Sequence, residues 1–223
     1  MQGVVLRCLL VGAIAACHTD NPGTADGSTD GTGSNTAGLS INWSTHPTAI
    51  PGQANSDTTI ASMTFRVANL RVIGDAGPGD DRTSIDTLAL QWQAGVQPSP
   101  ISFADAPTGL YSRVVLLADG NLVDYSYELA GTTKVDGMTL PYQIHDRSPL
   151  GISLETSTML DPDHGASLVI TIRIDQALQS LDFSKLDNQN GTLVLDTFDD
   201  AMGDFRNKMM SAVFEASHNT GGD

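Results

Sequence analysis

His145-Asp146 and Asp161-Pro162-Asp163-His164 are stretches of this sequence that set an imidazole beside carboxylates. That combination serves general acid–base catalysis and metal ligation alike. A zinc centre needs three or four converging ligands, and neither stretch has the H-E-x-x-H spacing that brings two histidines onto one helix face. Asp and Pro are also ordinary turn formers. Calcium asks for hard oxygen ligands, and the stretch GDAGPGDDRTSID offers Asp75, Asp80, Asp81 and Asp86 among glycines. A second acidic stretch, DTFDDAMGD, offers Asp196, Asp199, Asp200 and Asp204, although Asp199 or Asp200 is also placed to cap a helix. Neither has the EF-hand register. Calcium at Asp75, Asp80, Asp81 and Asp86 is the one cofactor these residues put forward.

Nucleophilic hydrolysis finds less to work with. There is no G-x-S-x-G elbow, and both cysteines, Cys8 and Cys17, lie near the N-terminus. Ser44 near His46 and Ser148 near His145 are neighbours along the chain, whereas a Ser-His-Asp triad is assembled in space. Sugar binding needs exposed aromatic platforms, and aromatics are 5% of the chain. Trp43 and Trp92 fall on apolar strand faces, which points to core packing, so Tyr111 and Tyr142 are the expected exposed rings. The Gly-rich stretch GTGSNTAG has neither a strand before it nor a helix after it, so it does not read as a phosphate loop.

Charge narrows the partners. The chain carries 26 acidic and 11 basic residues, a net charge of −15. An acidic balance of this size opposes nucleic acid, which is gripped through cationic neutralisation of phosphates, and opposes a basic-patch grip on anionic lipid. It is compatible with divalent cations, basic partners or a simply solvated surface.

Behind these residues the sequence alternates with period two, the pattern of a half-buried strand. Leu168, Ile170, Ile172 and Ile174 share one face, as do Val123, Tyr125, Tyr127 and Leu129, Ile41 and Trp43, and Leu88, Leu90 and Trp92. Between Met63 and Ile73 the phase switches from Met63, Phe65 and Val67 to Ala68, Leu70 and Val72, as a β-bulge would do. Asp119-Gly120, Asp136-Gly137 and Asn190-Gly191 are two-residue hairpin signals. Met202, Phe205, Met209, Val213 and Phe214 form a helical stripe, predicting an amphipathic helix over 200–216, and a shorter helical turn is placed at 176–181. The predicted fold is mainly β, an antiparallel β-sandwich over 39–218 with a C-terminal amphipathic helix and a disordered tail at 219–223.

The N-terminus is of another kind. Residues 8–16 (CLLVGAIAA) are apolar and far shorter than the roughly 20 residues a membrane-spanning helix needs. Arg7 precedes them and small residues end them, as in a secretory signal. The ending Ile14-Ala15-Ala16-Cys17 resembles the lipobox of bacterial lipoproteins. That resemblance implies removal of a signal peptide, residues 1–16, and diacylglycerol on the Cys17 thiol. Cleavage would also discard Cys8, leaving no free thiol for an oxidising compartment. Residues 18–38, rich in Gly, Thr and Asp, cannot bury enough apolar area to order themselves and read as a tether reaching on the order of 25 Å. His18 stands where inner-membrane retention commonly shows Asp, which points to the outer membrane.

A second resemblance rests on Pro107, Gly109 and Tyr111, a small-residue turn leading into an apolar strand. The stretch is similar to bacterial lipoprotein domains of transthyretin-like β-sandwich type. It implies that fold and an extracytoplasmic setting, and no activity. The sequence thus reads as a cell-envelope lipoprotein presenting an acidic β-sandwich module, non-enzymatic, moored to the membrane by its lipid, with an envelope protein or glycan as partner. The alternatives are an envelope hydrolase assembled from scattered histidines and carboxylates, and a calcium-dependent adhesin.

Overall fold

The period-two runs become strands. The computed structural model describes residues 38–75, 81–121 and 123–218, with side chains for 38–75, 87–121 and 123–217. These fall within one compact unit, Asn35–Asp223. Cys17, Ile14, Ala15 and Ala16, the rest of the signal, residues 18–37 of the tether and the tail at 219–223 lie outside the described residues.

The smaller sheet runs β13 (Phe214–His218), β10 (Ala166–Ile172), β1 (Leu39–Thr45), β5 (Ile101–Phe103) in spatial order. The larger is built on β3 (Thr58–Gly74), the longest strand. Phe65 pairs with both Leu90 of β4 (Asp81–Trp92) and Tyr127 of β7 (Tyr127–Val135), and Leu70 pairs with both Ile85 of β4 and Leu116 of β6 (Gly109–Ala118). A strand has two edges, so β4 holds one of them while β7 and β6 share the other in succession. The sheet forks there, at the register shift between Val67 and Asn69. This is the phase switch in the sequence, and burial follows it from Met63, Phe65 and Val67 to Leu70 and Val72. From β7 the sheet continues through β8 (Met138–Asp146) and β12 (Thr192–Asp196) to β11 (Asp187–Gln189). From β6 it continues to β9 (Leu150–Leu160), and β2 (Gly52–Gln53) pairs with the start of β3.

The fold is the expected sandwich-like β structure with two corrections. Pairing is not antiparallel throughout: β1 runs parallel to β10, and β12 parallel to β8. Tight turns impose antiparallel order only on strands adjacent in the chain, and a long crossover frees the direction. Asp136-Gly137 and Asn190-Gly191 make such turns, with all four residues at positive φ. Asp119-Gly120 does not. Its turn is broader, with positive φ at Asn121, so residues 123–126 are loop and β7 starts at Tyr127.

The C-terminus holds the second correction. α2 (Asp200–Lys208) widens into a π turn over Met209–Val213, and the chain then enters β13. Met202, Phe205, Met209 and Val213 are buried as the stripe predicts. Phe214 instead pairs with Ile172, because the open edge of β10 offers backbone partners that a continued helix would forgo. Asp199 precedes α2 without a side-chain cap. Its Oδ2 accepts from the Asp196 N–H at 2.6 Å, while Met202 N–H bonds the Asp199 carbonyl. The short helical turn is α1 (Ile174–Gln179). Among the described residues no helix is long and apolar enough to cross a membrane.

Phe65 joins the two sheets. Its ring lies 5.5 Å from Phe214 of the smaller sheet, 6.0 Å from Tyr127 and 6.5 Å from Trp92. Nearby, Gly131 of β7 lets Tyr142 reach across to donate to the Thr59 carbonyl at 3.0 Å. A Cβ on Gly131 would stand 2.0 Å from that carbonyl oxygen and 2.8 Å from the Tyr142 hydroxyl. Gly131→Ala is therefore expected to destabilise the domain by about 1–3 kcal/mol, measured by urea unfolding. An unchanged midpoint would show that β7 and β3 can part without loss.

Candidate functional site

The strand pleat sorts the residues at the end of β8. Tyr142, Ile144 and Asp146 point into the core, and Gln143 and His145 point outward. His145 stands in register with Glu128 of β7 and Asp196 of β12, and Glu128 in turn with Thr64 of β3. Asp196, His145, Glu128 and Thr64 thus form one row across four strands. His145 Nε2 lies 3.3 Å from Asp196 Oδ2. Arg66 donates to Glu128 Oε2 at 2.6 Å and to the Tyr125 carbonyl at 2.9 Å, with Asp124 Oδ2 3.7 Å from its Nε. Ser62, Thr64, Glu128, Gln143, His145 and Tyr125 contribute to the lining of a shallow groove of about 310 Å³ on this face.

Beyond the groove, Arg147 gathers two loops. Its guanidinium lies 4.3 Å from the centroid of the Tyr125 ring, and Tyr125 lies 4.4 Å from the His145 ring. The Arg147 N–H donates to Thr197 Oγ1 at 2.8 Å, and Nη1 donates to the Val123 carbonyl at 2.8 Å. On these loops Val123 is 79% and Phe198 90% exposed. A cation on an aromatic face is worth about 0.5–1 kcal/mol at an exposed site, and a hydrogen bond about as much. Arg147→Ala should therefore cost about 1–2 kcal/mol and raise hydrogen exchange in 123–125, read by mass spectrometry, while 197–199, tied by a backbone N–H that alanine keeps, should change little. Unaltered exchange in 123–125 would mean that the guanidinium does not hold that loop.

The core side of the same strand end is structural. Asp146 is fully buried, and Arg206 of α2 meets it with two hydrogen bonds, Nε to Oδ2 at 2.7 Å and Nη2 to Oδ1 at 2.9 Å. The Ser148 N–H and the Tyr127 hydroxyl complete the carboxylate at 2.9 and 3.1 Å. Burial alone would raise the Asp146 carboxyl, but the Arg206 guanidinium, with Ser148 and Tyr127, holds it below the usual carboxylate range. Burial, reinforced by the Asp146 charge, pushes the Tyr127 phenol well above its ordinary value and keeps it a donor. These contacts tie α2 to the sheet behind His145 and Arg147.

The other candidate residues are dispersed. His46 Nδ1 lies 3.0 Å from the buried Asp175, and His164 Nδ1 lies 3.1 Å from Asp161 in an exposed turn. The three histidine–aspartate pairs occupy different elements. Among the described residues no three His, Cys, Asp or Glu side chains converge on a common metal position, and no serine hydroxyl is hydrogen-bonded to a histidine. Of the calcium candidates, Asp75 is exposed and bonds the Leu110 carbonyl through its N–H, and Asp80 lies outside the described residues. Asp81 and Asp86 stand in β4 opposite Ile73 and Asn69. The side chains of both lie outside the described residues.

The expectations for the two tyrosines are reversed. Tyr111 and Tyr142 are buried, and the Tyr111 hydroxyl donates to the Pro107 carbonyl at 2.7 Å, closing the turn whose Gly109 sits at φ 140°. Trp92 is buried and Trp43 half-buried against the core, as expected. The exposed ring of Phe198 and the stacked ring of Tyr125 were not singled out by the sequence. Phe198 could have been found as an aromatic flanked by aspartates in a turn, whereas Tyr125 was hidden by its place in an apparent strand alternation. What the arrangement offers is stacking, hydrogen bonding and apolar contact, the means of recognition. No family model matches the chain, and no curated protein and no solved structure matches it, so function must be argued from its own residues.

Proposed function

We propose that this chain is an exported, acylated envelope protein whose acidic β domain is a binding module. Its recognition surface is the outward face of β3, β7 and β8 together with the two loops held by Arg147. The observation that carries the binding role is the Tyr125–Arg147 stack between loops that expose Val123 and Phe198. Tyr, Arg and Phe side chains at one place are the composition that interfaces favour. The envelope placement rests on Ile14-Ala15-Ala16-Cys17, with a Gly/Thr/Asp tether running to β1 at Leu39. Several acyl chains, at about 0.8 kcal/mol per buried CH₂, anchor far more firmly than one, and the outer membrane is the membrane proposed.

Cell fractionation tests the anchoring. The wild-type chain should sediment with the membranes, and Cys17→Ala should release it from them. Equal distribution of the two would remove the anchor. A calcium-dependent adhesin and an envelope hydrolase are the competing readings, and no specific observation favours either.

A further inference from the structure

We infer that Phe198 and Val123 are the apolar anchor points of a docking surface for a basic, amphipathic segment of a partner protein. Large apolar side chains scattered singly over a surface need no explanation, whereas an exposed apolar patch rimmed by polar residues marks an interaction site. Phe198 and Val123 project from loops tied to one residue, with the Arg147 backbone N–H bonded to Thr197 beside the first and its guanidinium bonded to the carbonyl of the second. Tyr125 packs beneath Arg147, so this end of the domain presents an aromatic, an aliphatic and a stacked Arg–Tyr pair on a braced base. Bracing matters because a surface already ordered loses less entropy on binding.

Charge selects the occupant. Asp196, Asp199 and Asp200 flank Phe198 in the sequence, and Asp124 follows Val123; all four are at least partly exposed. The whole chain is at −15. A second copy would bring these carboxylates against themselves, and anionic lipid would meet the same repulsion. A segment with an apolar stripe bordered by Lys or Arg meets both requirements, with the stripe over Phe198 and Val123 and the cations over the aspartates.

The inference rests on reading the domain as a binding module, and the test separates the two. The full acylated chain is held in phosphatidylcholine nanodiscs and titrated with an amphipathic helical peptide of Lys and Leu. A peptide with Glu in place of Lys is the control. The Lys/Leu peptide should bind, and Phe198→Ser should weaken it about tenfold or more, as loss of a central anchor does. Asp196→Asn with Asp199→Asn should slow its association several-fold while keeping the turn's hydrogen-bond acceptor. Met159→Ser, at an exposed apolar site on β9, should leave affinity unchanged. Each variant is checked by thermal melting, since Phe198 is too exposed to matter for folding. Binding that ignores Phe198→Ser, or equal binding of the Glu/Leu peptide, overturns the inference while leaving the acyl anchor standing. So does a wild-type dimer, seen by sedimentation, that Phe198→Ser disperses, since the surface would then serve self-association.

Discussion

Replacing Arg206 with Met should destabilise the domain by about 3–5 kcal/mol, because it strands a buried carboxylate without its partner. At about 2–4 °C per kcal/mol for a domain of this size, the melting temperature should fall by roughly 10 °C at neutral pH. Asp146 is fully buried and its two oxygens accept four hydrogen bonds, two of them from Arg206. The pH dependence identifies the cause. In the wild type the Asp146 carboxyl sits below its ordinary 3.8, so folding favours its ionised form. That contribution is complete at neutral pH and disappears as pH falls from about 4 through the lowered value. With Arg206 gone, burial dominates and raises the carboxyl above its ordinary value, so the variant's Asp146 favours being neutral. The gap between variant and wild type should be widest at pH 7 and should narrow toward pH 4. Adding Asp146→Asn to Arg206→Met should recover part of the loss at pH 7. A deficit of the same size at every pH would show that Arg206 acts by packing alone.

Phe65→Ala carries the other large effect. The side chain is fully buried and touches rings from both sheets, Phe214 on one side and Tyr127 and Trp92 on the other. Removing it deletes the transfer free energy of the ring and leaves a cavity between sheets that cannot close without tilting. The expected cost is about 3–5 kcal/mol, read as a lowered midpoint in guanidinium unfolding. Phe65→Leu, nearer in volume, should cost clearly less. Loss of under 1 kcal/mol in the alanine variant would mean that the sheets are joined elsewhere.

The residues that carry local information were legible in the sequence. Alternation placed Leu168, Ile170 and Ile172 on the buried face of β10, and the phase switch near Val67 became the register shift where the larger sheet forks. Asp136-Gly137 and Asn190-Gly191 turned as their φ freedom allows. What failed needed partners distant in the chain. The parallel pairing of β1 with β10 joins residues more than a hundred positions apart, and no local pattern encodes its direction. Phe214 fits a helical stripe in isolation, and only the free edge of β10 makes it a strand residue. Tyr111 and Tyr142 looked exposed because a phenol tolerates water, yet each found a backbone carbonyl within the fold. The recognition surface was legible least of all. Tyr125, Arg147 and Phe198 come from three separate segments, and their association depends on the parallel placement of β12 beside β8.

Intact mass measurement of the chain purified from bacterial membranes tests the envelope role most directly. A mass lacking residues 1–16 and carrying diacylglycerol on Cys17 is the predicted result. A chain that keeps its first sixteen residues, or that ends in an unmodified Cys17 thiol, contradicts it.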